Sequence, residues 1–265
     1  MSRMRITTTD GQMLGGLLVF GSIVLGSMAV LLFQMNPVNQ LANQDLSSRV
    51  ETAIRNGTTE QVSKDLDAAI QKDATNADLF LLRGSMLFRI GKVQESLADF
   101  DQCLVLRPEA KPFLWQRGIA LYYAEKYKEG KEQFEVHRTV NPNDVENAFW
   151  HFLCAAKIEG VDTASKNILT SGFDQREPLM TVQNMIAGKA KLSDVLAETE
   201  SGRPATKFYG YLYLGLYADV TGATDDAKAY LEKCLATKIP GYMSDVAKVH
   251  LDLLNKKKTK PTSKP

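Results

Sequence analysis

FLLRGSMLFRI at positions 80–90 and FLWQRGIALYY at 113–123 are two apolar runs, each with an arginine followed by a glycine near its centre. Shifting the chain by 34 residues lays Gly84 on Gly118 and Leu87 on Leu121, and further along Phe100 on Phe134 and Pro108 on Pro142. Each apolar run leads into a second, amphipathic run that closes on proline: SLADFDQCLVLRP at 96–108 and GKEQFEVHRTVNP at 130–142. Two helices joined by a short break satisfy this pattern. Glycine at their crossing permits close approach, and proline ends the second helix.

The spacing extends in both directions. Gly57 stands 34 residues before the turn glycine Gly91, so residues 43–76 read as a degenerate leading repeat ahead of full repeats at 77–110 and 111–144. An offset of 131 pairs Gly84 with Gly215, Gly91 with Gly222 and Cys103 with Cys234, which marks a last full repeat at 208–241. Residues 145–207 between them read as a poorer repeat, turning at Gly160, followed by a helical insertion. DVAKVHLDLLN, within 242–255, supplies a capping helix, as an array of this kind needs an end with one polar face. The tail 256–265 carries five lysines and two prolines and is expected to be disordered.

A period of 34 with this helix-turn-helix pattern resembles the tetratricopeptide repeat. The resemblance implies an all-α, right-handed superhelical solenoid that binds proteins rather than an enzyme. It also implies that the first helix of each pair lines a concave groove, which places Leu81, Ser85, Phe88, Trp115, Ile119, Tyr122, Phe149 and Leu153 on that surface. Such an apolar, aromatic groove suits a protein partner of unknown identity, a second copy of the chain, or the array's own later helices. Leu81 and Ser85 stand where chaperone-binding members carry a lysine and asparagine clamp, which argues against a chaperone-tail site. WQRGIALYY, NPND, AFWHFLCAAK and FYGYLYLGLYADVTGATDDAKAYLEKCL follow one another as in the new lipoprotein I family of bacterial envelope scaffolds. The resemblance stops at the anchor, where this chain has a hydrophobic stretch in place of a lipidated cysteine.

That stretch, residues 13–35 (MLGGLLVFGSIVLGSMAVLLFQM), lies in a segment without a charged residue between Asp10 and Asp45. As a helix it reaches roughly 34 Å, against ~30 Å of hydrocarbon core. Its length, and the absence of a small-residue cleavage site after it, favour an uncleaved span over a signal peptide. Arg3 and Arg5 precede it, and Arg49 is the first basic residue beyond. The bias sets residues 1–12 in the cytoplasm and the repeats outside it, periplasmic in a bacterium, with an organelle or plastid membrane as the alternative.

Thirty-two basic against 31 acidic residues leave no global field to draw nucleic acid. Three cysteines without a CxxC argue against a disulfide framework or a zinc knuckle, and no metal site or cofactor is expected. Phosphate-binding, hydrolase and metalloprotease motifs are all missing. His151 and Cys154, three apart on one helix, are the one pair with nucleophile potential, and a small buried cysteine among large apolar neighbours reads more simply as core. Cys103, Cys234 and His137 fall at equivalent packed places in their repeats. Arg83 and Arg117, each just before a crossing glycine, pair with carboxylates on the partner helix, Arg83 with Asp99 for example, or else bind an anion at the groove edge.

Overall fold

The computed structural model describes the backbone of residues 37–258 and the side chains of residues 43–256. The expected cytoplasmic segment 1–12, the membrane span 13–35 and tail residues 259–265 lie outside the described residues. Among the described residues no helix is long and apolar enough to cross a membrane.

The described residues of the unit 41–265 are all-α, with no strand among them. Its helices are α1 (Pro37–Asn56), α2 (Thr59–Lys72), α3 (Ala77–Arg89), α4 (Val93–Leu106), α5 (Trp115–Tyr123), α6 (Tyr127–His137), α7 (Val145–Glu159), α8 (Val161–Lys166), α9 (Leu179–Ile186), α10 (Leu192–Ser201), α11 (Pro204–Val220), α12 (Thr224–Ala236) and α13 (Tyr242–Lys258). A 3-10 turn, Pro108–Phe113, links α4 to α5. Helices pack as sequential pairs, α3 on α4, α5 on α6, α7 on α8 and α11 on α12, and each pair touches the next to form a solenoid.

Local chemistry sets the helix ends. Asn76 caps α3 by accepting the Asp78 amide, and Asp144 caps α7 by accepting the Glu146 amide. Helix α3 stops at Gly91, whose φ of +81° lets its amide donate to Phe88 while that of Lys92 donates to Leu87. The same two bonds close α5, where Glu125 takes the left-handed place at φ +61°.

Crossing positions are tight. A Cβ on Gly118 would come within 2.6 Å of the Phe134 ring, and one on Gly84 within 3.1 Å of Asp99 and the Ser96 carbonyl. Gly215 meets Leu231 in the same way, at 2.9 Å. Phe100 and Phe134 are fully buried beneath these crossings, each stabilising the pair by about 1.5–3 kcal/mol. Pro108 opens the 3-10 turn and Pro142 lies in the loop before α7, so both stand where a second helix has ended.

The leading pair α1 and α2 buries Val50, Ala53, Val62 and Leu66 against Leu82 and Met86 of α3, so this degenerate repeat is continuous with the next. In the stretch 145–207 the second helix shrinks to the six residues of α8, and the chain then runs through residues 167–178 into the short pair α9 and α10. Arg83 joins α3 to α4 and to the preceding repeat, with Nε donating to Asp99 Oδ2 of α4 at 2.8 Å and Nη1 to Asp67 Oδ1 of α2 at 2.7 Å. Arg117 similarly reaches Asp101 and Gln133, so neither guanidinium is presented as an anion site.

Candidate protein-binding groove

The inner face is built by α3, α5, α7 and α11, but it does not stand open. Of the eight residues expected to line a protein-binding groove, Leu81, Phe88, Ile119, Tyr122, Phe149 and Leu153 are buried in the array, and Ser85 and Trp115 are half-buried. Tyr122 sits edge-on to Trp150 at 5.6 Å and to Tyr127 at the same separation. Phe149 meets the Tyr213 ring of α11 at 4.6 Å. These contacts are of the third kind left open by the sequence, packing against the array's own later helices. One apolar face per helix can be read from the sequence, but the next helices in line use that face up.

Phe88 and Trp115 are covered by α13 instead. Tyr242, the first residue of α13, stacks on Phe88 with centroids 5.6 Å apart and planes 9° from parallel, and meets Trp115 edge-on at 5.0 Å. One turn later Asp245 accepts a 2.6 Å bond from Arg89 Nε at the end of α3, and the Arg89 guanidinium also holds Glu51 of α1. Burial outweighs Arg89 and lifts the Asp245 carboxyl above its ordinary range. Further along, His250 Nδ1 lies 3.0 Å from the Tyr123 hydroxyl, and its Nε2 lies 3.3 Å from Asp219 of α11 without hydrogen-bond alignment. The expected cap is thus also the helix that covers part of the inner face. Between it and the α1–α2 and α3–α4 turns remains a cavity of about 360 Å³.

A second polar cluster had no counterpart in the sequence reading. Arg176, from the stretch before α9, bonds Asp174 through Nε at 2.9 Å, Asp144 through Nη2 at 2.6 Å and Glu146 through Nη1. Its guanidinium also lies over the Tyr209 ring, and the Tyr213 hydroxyl donates to Glu146. Burial raises the Glu146 carboxyl despite Arg176. The cluster staples the insertion to the start of α7 and to α11. Its only signal in the sequence was a group of charges at 144, 146, 174 and 176 with no periodicity.

His151 and Cys154 do not form a catalytic pair. His151 Nε2 faces Glu135 at 3.2 Å while its Nδ1 has no partner, and Cys154 packs against Gly130, where a Cβ would come within 2.9 Å of the sulfur. Burial pushes all three thiols up, Cys103 to about 11 and Cys234 to about 12. Among the described residues no group of His, Cys, Asp and Glu could hold a metal ion.

No family model matches the chain. A stretch of 60 residues is 38% identical to the mitochondrial import receptor subunit TOM70 of Homo sapiens, covering 23% of this chain and 10% of that protein. A stretch of 107 residues is 28% identical to the same subunit of Rattus norvegicus, covering 38% of this chain and 18% of the relative. The matches therefore span less than a fifth of these relatives. Among solved structures, a tetratricopeptide repeat protein from Parabacteroides merdae superposes with a TM-score of 0.51 at 19% identity, covering 86% of this chain and 89% of the other. The described residues have a tetratricopeptide-like, all-α solenoid fold.

Proposed function

We propose that this protein is a membrane-tethered adaptor whose repeats hold a partner protein on the far side of the membrane from a short cytoplasmic amino terminus. The observation that carries the binding role is the seating of α13 on Phe88, Arg89 and Trp115. An inner face that accepts one amphipathic helix through an aromatic stack and a buried cation has the chemistry of a helix-binding groove. The tether rests on the apolar stretch 13–35 and on Arg3 and Arg5 before it. The order of motifs that resembles the new lipoprotein I family supports an envelope setting, with partners that differ because the anchor differs.

The test has two arms. Membranes washed at alkaline pH should retain the full-length chain, and protease added from outside should digest the repeats while sparing a tag placed before Arg3. A photo-crosslinking residue at Ile90, on the rim of the 360 Å³ cavity, should capture partner proteins that the same probe at exposed Val105 does not. Release of the chain at alkaline pH would remove the tether. Crosslinks only to a second copy of the chain would replace the adaptor reading by self-association.

A further inference from the structure

The connections between helices fall on two edges of the array. The α1–α2 and α3–α4 turns, at Gly57 and Gly91, line one cavity together with Val249 and Leu253 of α13, which places all three on one edge. Helices of a pair joined by so short a turn run antiparallel, so the connections from one pair to the next lie on the other edge. Three of these, residues 107–114, 138–144 and 167–178, are stitched together by hydrogen bonds. Gln133 Nε2 donates to the Lys111 carbonyl and His137 Nδ1 lies against the Pro112 carbonyl, both at 2.7 Å, and the Gly172 amide donates to the Pro142 carbonyl at 2.9 Å.

This stitched edge carries the two most exposed large hydrophobic side chains among the described residues, Phe173 at 77% and Val105, at the end of α4, at 72%. Val140 adds a third at 41%, and Lys111 and Arg138 are exposed on the same segments. Phe173 is held in place from both sides. The Ser171 amide donates to Gln183 Oε1 at 3.1 Å, and Asp174, itself buried, accepts the Val145 amide at 3.2 Å. Between them the backbone lies so close to the α6–α7 connection that a Cβ on Gly172 would collide with the Asn143 side chain. The fold thus fixes the segment and leaves its ring in water, the costly place for an apolar group.

What covers this edge follows from where the chain arrives. Helix α1 ends at the Gly57 turn on the opposite edge, so its earlier part, from Leu41 on, lies toward the Phe173 edge. Five residues of sequence separate Leu41 from the expected span 13–35, and even fully extended they reach only about 17 Å. We propose that the edge formed by residues 107–114, 138–144 and 167–178 rests on the bilayer that holds the span. Phe173, Val140 and Val105 enter the interface, and Lys111 and Arg138 sit at the level of the headgroups. This rests on the tether reading and adds to it the surface through which the repeats lie against lipid.

The test reads lipid contact on the full chain in vesicles of phosphatidylcholine and phosphatidylglycerol, part of the lipid carrying a nitroxide on its headgroup. The three native thiols are buried, so a cysteine introduced by Val140→Cys takes a fluorophore selectively. Ile158→Cys, at the exposed end of α7 on the opposite edge, is the reference. Nitroxide should quench the probe at 140 about fivefold more strongly than the probe at 158, and adding Phe173→Ser should remove at least half of that difference. Equal quenching at the two positions, stronger quenching at 158, or a difference that Phe173→Ser leaves unchanged overturns the proposal. Ring 173 is exposed, so the serine variant keeps the fold, which the unchanged melting temperature of the labelled chain checks. An alkaline wash separates this reading from the tether. A chain that stays in the membrane with equal quenching rejects the lipid edge and leaves the tether. A chain that the wash releases, but that was quenched selectively at 140 before it, rejects the tether and leaves the lipid edge.

Discussion

Arg89 Nε donates to Asp245 Oδ2 at 2.6 Å across 156 residues of sequence, tying the end of α3 to the start of α13. The Asp245 side chain keeps a fifth of its surface in solvent while Arg89 is almost fully enclosed. Removing one partner of a buried pair leaves the other charge uncompensated, at about 3–5 kcal/mol when fully buried. With Asp245 partly hydrated, Arg89→Met should cost about 2–3 kcal/mol in urea unfolding, and adding Asp245→Asn should recover part of that. A loss below about 0.5 kcal/mol for Arg89→Met would place the pair with solvent-screened surface bridges.

Glu125 occupies the place that Gly91 and Gly222 hold in their repeats, with φ +61° against +81° and +89°. A side chain in the left-handed region costs about 1–2 kcal/mol, and glycine gives back part of that gain through the freer unfolded chain. Glu125→Gly should therefore raise stability by about 0.5–1 kcal/mol and increase the melting temperature by a few degrees. Destabilisation instead would mean that the Glu125 side chain makes a contact worth more than the backbone strain.

Tyr122 tests internal packing against partner binding on the groove face. It is 5% exposed and ringed by Tyr123, Tyr127 and Trp150. Tyr122→Ala should cost about 3–5 kcal/mol, as large-to-small changes in a core do. A melting temperature close to wild type, with partner crosslinks lost, would return this residue to a binding surface.

The repeat register was legible because a crossing leaves no alternative: Gly118 must be small where Phe134 lies against it, and the same need recurs at Gly84 and Gly215. The fate of the apolar faces was not legible. Periodicity states that Phe88 and Trp115 share a face and that Tyr242, Val246 and Val249 share another, but nothing local says that the two faces meet more than a hundred residues apart. A capping helix and a groove-covering helix have the same one-sided pattern. Arg176 was invisible for a related reason, since a buried ionic cluster is assembled from loops whose charges look solvated until the fold encloses them.

His151 provides a pH dependence. It is buried beside Glu135, and loss of solvation outweighs that carboxylate, so its value is lowered below the ordinary 6.5. The folded state therefore binds fewer protons at this site than the unfolded state does. Its contribution is fully present above pH 6.5 and is lost as the pH falls toward the lowered folded value. Denaturant unfolding at pH 7.5 and pH 5.5 should show a larger drop for wild type than for His151→Gln. Equal drops would assign the dependence to other groups.

The cysteines separate a scaffold from a thiol enzyme. Cys154 is fully buried, with its thiol pushed up by loss of solvation and only weakly opposed by Lys131, whereas a catalytic thiolate needs a depressed value and access. Cys103 is raised from 9.0 to about 11, which lowers its thiolate fraction about a hundredfold at neutral pH before any steric protection is counted. In the folded chain all three thiols should react with iodoacetamide at least about a hundredfold more slowly than a free cysteine, and completely within minutes in denaturant. The comparison is informative because burial protects only while the solenoid holds: Gly130 lies against Cys154, so the sulfur is reached only when α6 and α7 part. Selective fast labelling of Cys154 under native conditions, with an apparent thiol pKa below that of free cysteine, would instead bring His151 and Cys154 back as a reactive pair.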